Sequence, residues 1–144
     1  MTSSSSVRPT AASSSVTSRR VAAAAIAAAG ILHLVLVPEY LAEAPLIGVL
    51  FLASAPLTGW AAWRLWRRED LPAWLLGAAV SAGMIGGFLL SRTVGFFGYS
   101  SAEWAEGIPS LLVEGVFLAI AARHVPKLLS RSRATSASVS AGGR

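Results

Sequence analysis

Four side chains combine chemical capability with an apolar setting: His33, Glu39, Arg92 and Glu114. His33 and Glu114 each interrupt a long hydrophobic run. There an unpaired carboxylate is costly, and an imidazole needs a hydrogen-bond partner. Such a set can relay protons, hold an ion or bind a small polar ligand. It can equally be a buried ion pair that fixes helix packing. His33 lies four residues before Val37, about 6 Å inside the end of its run at 1.5 Å per residue. Glu114 lies six residues after Ile108, about 9 Å inside its own run by the same measure. If the two runs are antiparallel helices, the two groups share a depth. Arg92 closes the third run and can reach up or down, and Glu39 follows Pro38 at the end of the first. The expected pairing is Arg92 with Glu114, with His33 alongside.

Other chemistries find little support. There is no Cys, so no disulfide, thiolate zinc site or cysteine nucleophile is possible. His124 sits roughly 18 Å in depth from His33 at the helical rise, too far for both to ligate one haem iron. It reads as a positive flank before Pro126. His33 with Glu39, Glu43, Glu103 or Glu106 matches no familiar zinc spacing. No HExxH, P-loop, GxSxG or dinucleotide fingerprint occurs. Neither a cofactor nor catalysis is expected.

The elements that position these residues follow from composition. The 144 residues are 54% hydrophobic and 13% charged, against about 25% charged in soluble domains. A core of this size cannot hide that much apolar surface from water, so a lipid bilayer is the expected surroundings. The fold expectation is an all-α, four-helix transmembrane bundle with helices at about 21–37, 45–66, 71–91 and 108–125. Pro45, Pro72 and Pro109 suit first helical turns, Asp70 suits a cap for the third helix, and Pro56 should kink the second. Residues 1–20 and 126–144 are basic, rich in small polar residues, and expected to be disordered. An apolar run longer than a signal-peptide core, with Pro45 after the small-residue Ala42-Glu43-Ala44 site, argues for a retained first helix. An organellar transit peptide is the weaker alternative.

Threading follows from charge. The net +5 would point to nucleic acid in a soluble domain, but here it flanks apolar segments and reads as topology, with no nucleic-acid partner. Four spans place Arg8, Arg19, Arg20, Arg64, Arg67, Arg68, Arg123, Lys127, Arg131, Arg133 and Arg144 on one side and Arg92 alone on the other. By the positive-inside rule both termini are then cytoplasmic. Aromatic belts are expected outside at Tyr40, Phe96, Phe97, Tyr99 and Trp104, and inside at Trp63, Trp66 and Trp74. Small residues predict the contact faces: Ala22, Ala25, Ala29 and His33; Gly48, Ala55, Gly59 and Ala62; Ala79, Gly83, Gly87 and Ser91; and Gly115, Ala119 and Ala122. Ser110, Glu114 and Ala121 form an adjacent stripe on the fourth helix. The outer segment 91–107 is expected to cap the bundle, anchored by Phe96, Phe97 and Trp104; an ordinary interfacial loop is the alternative.

The segment from His33 through Pro38, Glu39 and Tyr40 to Pro45, with Gly48 and Phe51, and the later Ser91-Arg92-Thr93-Val94-Gly95 with Glu114, resembles a family of small uncharacterised actinobacterial four-helix integral membrane proteins. The resemblance covers most of residues 21–125. It implies membrane location and four helices, and brings no activity. The family pattern would place a histidine after the glutamate, where this chain has Tyr40, so any ligand role of that histidine is missing here. The expectation is therefore a plasma-membrane protein acting as a non-catalytic accessory or structural subunit. Beyond lipid, its partner would be another membrane protein or a second copy. The alternative is a module that binds or transports a proton, metal ion or small ligand through the outer-leaflet cluster.

Overall fold

A computed structural model describes residues 11–142. It is all-helical: α1 (Ala11–Glu43), α2 (Pro45–Arg67), α3 (Leu71–Thr93) and α4 (Ile108–Gly142), with a 3₁₀ turn at Ala105–Gly107. Each helix contains a stretch long and apolar enough to cross a membrane: Ser15–Glu43, Pro45–Arg67, Leu71–Thr93 and Ala105–Ala134. α1 packs against α2 and α4, and α3 against the same two, which gives a ring of four. One end of the ring carries the α1–α2 and α3–α4 connections. The other carries the α2–α3 turn and the chain-terminal parts of α1 and α4.

α1 and α2 reverse over a single non-helical residue, Ala44, with φ −142° and ψ 74°. That sharp reversal needs Gly48: a Cβ there would lie 2.6 Å from the Leu41 backbone nitrogen. α2 stops at Arg68 and α3 starts after Asp70, both extended. Asp70 occupies the cap position but makes no side-chain cap bond. Instead it accepts two hydrogen bonds from Arg64, at 2.9 and 3.0 Å, because an ionised guanidinium is the stronger donor.

Helix bounds differ from expectation at both ends. α1 begins by Ala11, so residues 11–20 are helical rather than disordered. Arg19 donates to the Leu65 carbonyl at 2.6 Å and Ser18 bonds His124 at 2.8 Å, which ties this turn to the ring. α1 also runs through Pro38 to Glu43, and α4 runs through Pro126 to Gly142. A proline keeps a helical φ and deletes one backbone bond. Side chains beyond each proline hold the helix together: Tyr40 is in the interior, and Leu128 packs against the larger core cluster. Residues 1–10, 143 and 144 lie outside the described residues.

Two apolar clusters fill the ring. The larger holds Ile26, Leu65, Trp74, Phe117 and small alanines; the smaller, at the connection end, holds Tyr40, Ala44 and Ile47. His33, Ser54, Thr58, Ser81, Ser91 and Glu114 are also buried. The outer surface is apolar, with Ile31 63%, Val35 71% and Leu112 64% exposed. Buried polar groups beneath an aliphatic exterior are the reverse of what water selects, and such a surface suits a solvent as apolar as the side chains it touches.

The α1 stripe faces inward as expected, with Ala22, Ala25, Ala29 and His33 all buried. The other small-residue faces hold only in part: Gly48, Ala62 and Ser91 are buried, as are Glu114 and Ala121 of the adjacent α4 stripe. On α2, beside the buried Gly48 and Ala62, Gly59 is exposed, and Ser54, Thr58, Ala61 and Leu65 also turn inward. On α3, Gly83 is exposed, and a Cβ there would meet nothing within 4 Å. The close approach is at Gly77, against Phe117. On α4 the predicted face of Gly115, Ala119 and Ala122 is exposed, while Glu114, Phe117 and Ala121 are buried. Large aromatics fill the interior, so the buried small residues are those opposite Phe117 and Trp74. Trp74, expected at an interface, is itself fully buried.

The α3–α4 connection closes one end. Gly95, at φ +88°, terminates α3 by donating to Leu90, a left-handed helix stop. Phe96 and Tyr99 then exchange backbone hydrogen bonds at 2.8 and 3.0 Å around Phe97 and Gly98. Both central residues have positive φ, 50° and 82°, the condition for a type I′ turn. Ser101 donates to the Ser91 carbonyl and pins the hairpin to α3. Of the three expected anchors, Phe97 and Trp104 are exposed, while Phe96 turns toward Tyr40 and Ile47.

Candidate functional site

The hairpin and the upper halves of the helices enclose a cavity of about 60 Å³. That is room for more than one water molecule. α1 contributes His33, Leu36 and Tyr40, which share one helical face at steps of three and four. α2 contributes Ile47 and Phe51, and α3 contributes Met84, Phe88 and Ser91. The hairpin adds Phe96 and Tyr99. The last wall is Glu106, Ser110 and Glu114, spaced four residues apart so that a carboxylate, a hydroxyl and a second carboxylate line one side.

His33 and Glu114 form the floor. The His33 Nδ1–H donates to the Ala29 carbonyl at 2.8 Å, since a carbonyl can only accept. Nε2 then faces the cavity, 3.4 Å from the Ser110 hydroxyl and 3.6 Å from Glu114 Oε1. The second distance is an ion-pair contact when the ring is protonated, and is too long for a hydrogen bond. Glu114 is 2% exposed, yet its Oε1 has no hydrogen-bond partner. Above this floor, ring contacts run from His33 to Phe51 at 4.6 Å, Phe51 to Tyr40 at 5.0 Å and Tyr40 to Tyr99 at 5.7 Å. One side of the cavity is thus a continuous aromatic wall.

The expected four-residue cluster is only partly assembled. His33 and Glu114 meet across antiparallel helices, as their depths predict. Arg92 does not pair with Glu114. Its guanidinium turns toward the hairpin, donates to the Glu103 carbonyl, bonds Ser91 Oγ at 3.3 Å and lies 3.9 Å from Glu106 Oε2 and 4.8 Å from the Phe88 ring centre. At the last turn of α3 the partners above it lie nearer than a carboxylate two turns down α4. Glu39 is exposed and takes no part, and Tyr40 occupies the inward position beside it. The sequence reading missed Tyr40, Tyr99, Ser110 and Glu106 as cavity walls. Their signal was present for three of them: Tyr40 is seven residues from His33, and Glu106, Ser110 and Glu114 are four apart. Tyr99 depends on the hairpin turn and had no such signal.

Among the described residues no three His, Asp or Glu side chains converge as a metal-ligand set. His33 and Glu114 alone fall short of the three or four ligands a zinc ion takes. The opposite end of the ring carries a second polar group. His124 contacts Glu69 at 3.1 Å and Ser18 at 2.8 Å, stacks on Trp74 at 5.0 Å, and Arg131 reaches the same glutamate at 3.9 Å. These contacts join α1, the α2–α3 turn and α4, so His124 is a packing element as well as a flank. Nearby, the Arg64 guanidinium holds the Asp70 carboxyl below its ordinary range. Searches against family models, curated proteins and solved structures found no match for this chain.

Proposed function

We propose that this is a multi-pass plasma-membrane protein with both termini in the cytoplasm, related to the small actinobacterial four-helix group. Its cavity then opens toward the extracytoplasmic side and binds a small ligand there without catalysing a reaction. The support for orientation is the charge distribution: among the described residues the hairpin end carries Arg92 as its one Lys or Arg, whereas Arg19, Arg20, Arg64, Arg67, Arg68, Arg123, Lys127, Arg131 and Arg133 lie toward the opposite end. The hairpin end also carries Glu39, Glu43, Glu103 and Glu106.

One observation favours binding over a purely structural cluster. A structural ion pair would satisfy its own charges, because an unmet buried carboxylate is costly. Glu114 is enclosed, lines a cavity and has an oxygen without a hydrogen-bond donor. That group is arranged for something that arrives.

Two experiments test the proposal. Cells expressing Glu114→Gln and His33→Ala are expected to hold normal amounts of folded protein and to lose an uptake or tolerance phenotype. Poor folding with an unchanged phenotype would return the cluster to a structural role and the chain to an accessory subunit. For orientation, Ser100→Cys should label in intact cells and Ser140→Cys only after permeabilisation, in a chain with no other cysteine; the opposite pattern overturns the topology.

A further inference from the structure

The walls also state what kind of ligand they suit. Among the described residues, the charged ones lining the cavity are Glu106 and Glu114, with no Lys or Arg. Arg92 is near, but it donates to the Glu103 carbonyl and lies over the Phe88 face, and its Nη2, buried without a hydrogen-bond partner, is 3.9 Å from Glu106. Glu106 is the carboxylate nearer to Arg92 and is half exposed, whereas Glu114 is buried and has no Lys or Arg ion pair among the described residues. His33 does not neutralise it at hydrogen-bond distance, since Nε2 lies 3.6 Å away and Nδ1 is committed to Ala29. The remaining surface is aromatic and aliphatic.

We infer that the cavity takes a small organic cation, a compact protonated amine, with its charge against Glu114 and its alkyl group against Phe51, Tyr40 and Tyr99. This rests on the binding reading above and adds the ligand class. A carboxylate buried without a counter-charge is unfavourable, and a cation entering the cavity supplies one. Aromatic faces attract a desolvated ammonium through the ring quadrupole, while an anion meets repulsion from both the rings and the carboxylates. The size fits a compact head: about 60 Å³ excludes large lipophilic cations.

Methylammonium is the probe, with acetate and acetamide as anionic and neutral counterparts, measured by calorimetry on the full-length protein in lipid nanodiscs. The expected result is saturable binding of an ammonium probe, acetate and acetamide bound at least about tenfold more weakly, and a loss of about 30-fold or more in Glu114→Gln. Phe51→Leu keeps the apolar volume and the carboxylate and should weaken binding by about 2- to 10-fold. It also keeps the test decisive if Glu114→Gln folds poorly. Saturable binding of acetate or acetamide in preference, or ammonium binding that ignores both substitutions, overturns the cation assignment and leaves the binding site standing. No saturable binding of any probe overturns the assignment and removes the support for the binding reading with it.

Discussion

Gly77 and Gly83 lie on the same helix, and the sequence motif and the packing make opposite demands on them. Gly83 and Gly87 form the small-xxx-small pair that marks a helix contact, yet an added Cβ at Gly83 meets nothing within 4 Å. At Gly77 the same atom would sit 2.5 Å from Phe117 Cζ and 2.9 Å from Cε1. Carbon atoms in contact settle at about 3.5–4.0 Å, so the ring must retreat by roughly 1 Å. It has no free direction, being fully buried with Trp74 5.7 Å away. Overpacking of this kind costs about 1–3 kcal/mol. Replacing glycine by alanine also removes backbone freedom, worth about 0.5–1 kcal/mol at either position. That gain is shared and cancels in the comparison. Gly77→Ala should therefore be less stable than Gly83→Ala by about 1–3 kcal/mol, read from unfolding in mixed micelles titrated with a denaturing detergent. Adding Phe117→Leu to Gly77→Ala should cost less than the sum of the single changes, because the side chains share one space. Equal stabilities, or a greater loss at Gly83, would refute the packing described for α3.

Two further outcomes separate the observed ion pairs from the expected one. A double-mutant cycle between Arg92→Gln and Glu106→Gln should give a coupling of at most about 1 kcal/mol, since the glutamate is half exposed and the contact is long; the same cycle with Glu114→Gln should give none, and a larger value there would restore the original pairing. Asp70→Asn should lower stability at neutral pH by less than about 1 kcal/mol. The folded carboxyl titrates below the ordinary value of 3.8, so its contribution is present above that value and disappears as pH falls through the lower, folded one. Variant and wild type should converge in acid, and a gap that widens there would contradict the pair.

The hydroxyls, histidine and glutamate buried among the apolar core residues are accommodated in different ways. Ser54 and Thr58 satisfy themselves by donating to carbonyls one turn back, at 2.7 and 2.9 Å. Ser91 does the same to Phe88 at 2.7 Å. Such groups are locally closed and need nothing from a neighbour. His33 is held by Ala29 on one side and reaches the Ser110 hydroxyl at 3.4 Å on the other, while Glu114 keeps an oxygen without a hydrogen-bond partner. Open buried groups also occur away from the cavity, at Ser81 Oγ and Trp74 Nε1, so what distinguishes the site is that its open carboxylate lines a cavity.

Read alone, the residue order determined the number of helices, their prolines at the entrances of α2 and α3, and the common depth of His33 and Glu114. These depend on run length and on a fixed rise per residue, which are local. It also determined that the α1 stripe from Ala22 to His33 faces inward, because that helix is nearly all small residues on the contacting side. Tertiary structure decided the rest. Which face of α2, α3 and α4 turns inward depends on where Phe117 and Trp74 find room, and no single helix encodes that. Whether Arg92 reaches up or down depends on the acceptors offered by a hairpin fourteen or fewer residues away in sequence but folded back over it. The helical course of α1 and α4 through Pro38 and Pro126 depends on side chains beyond each proline docking on neighbours, a gain that outweighs one lost backbone bond and that local propensity does not contain.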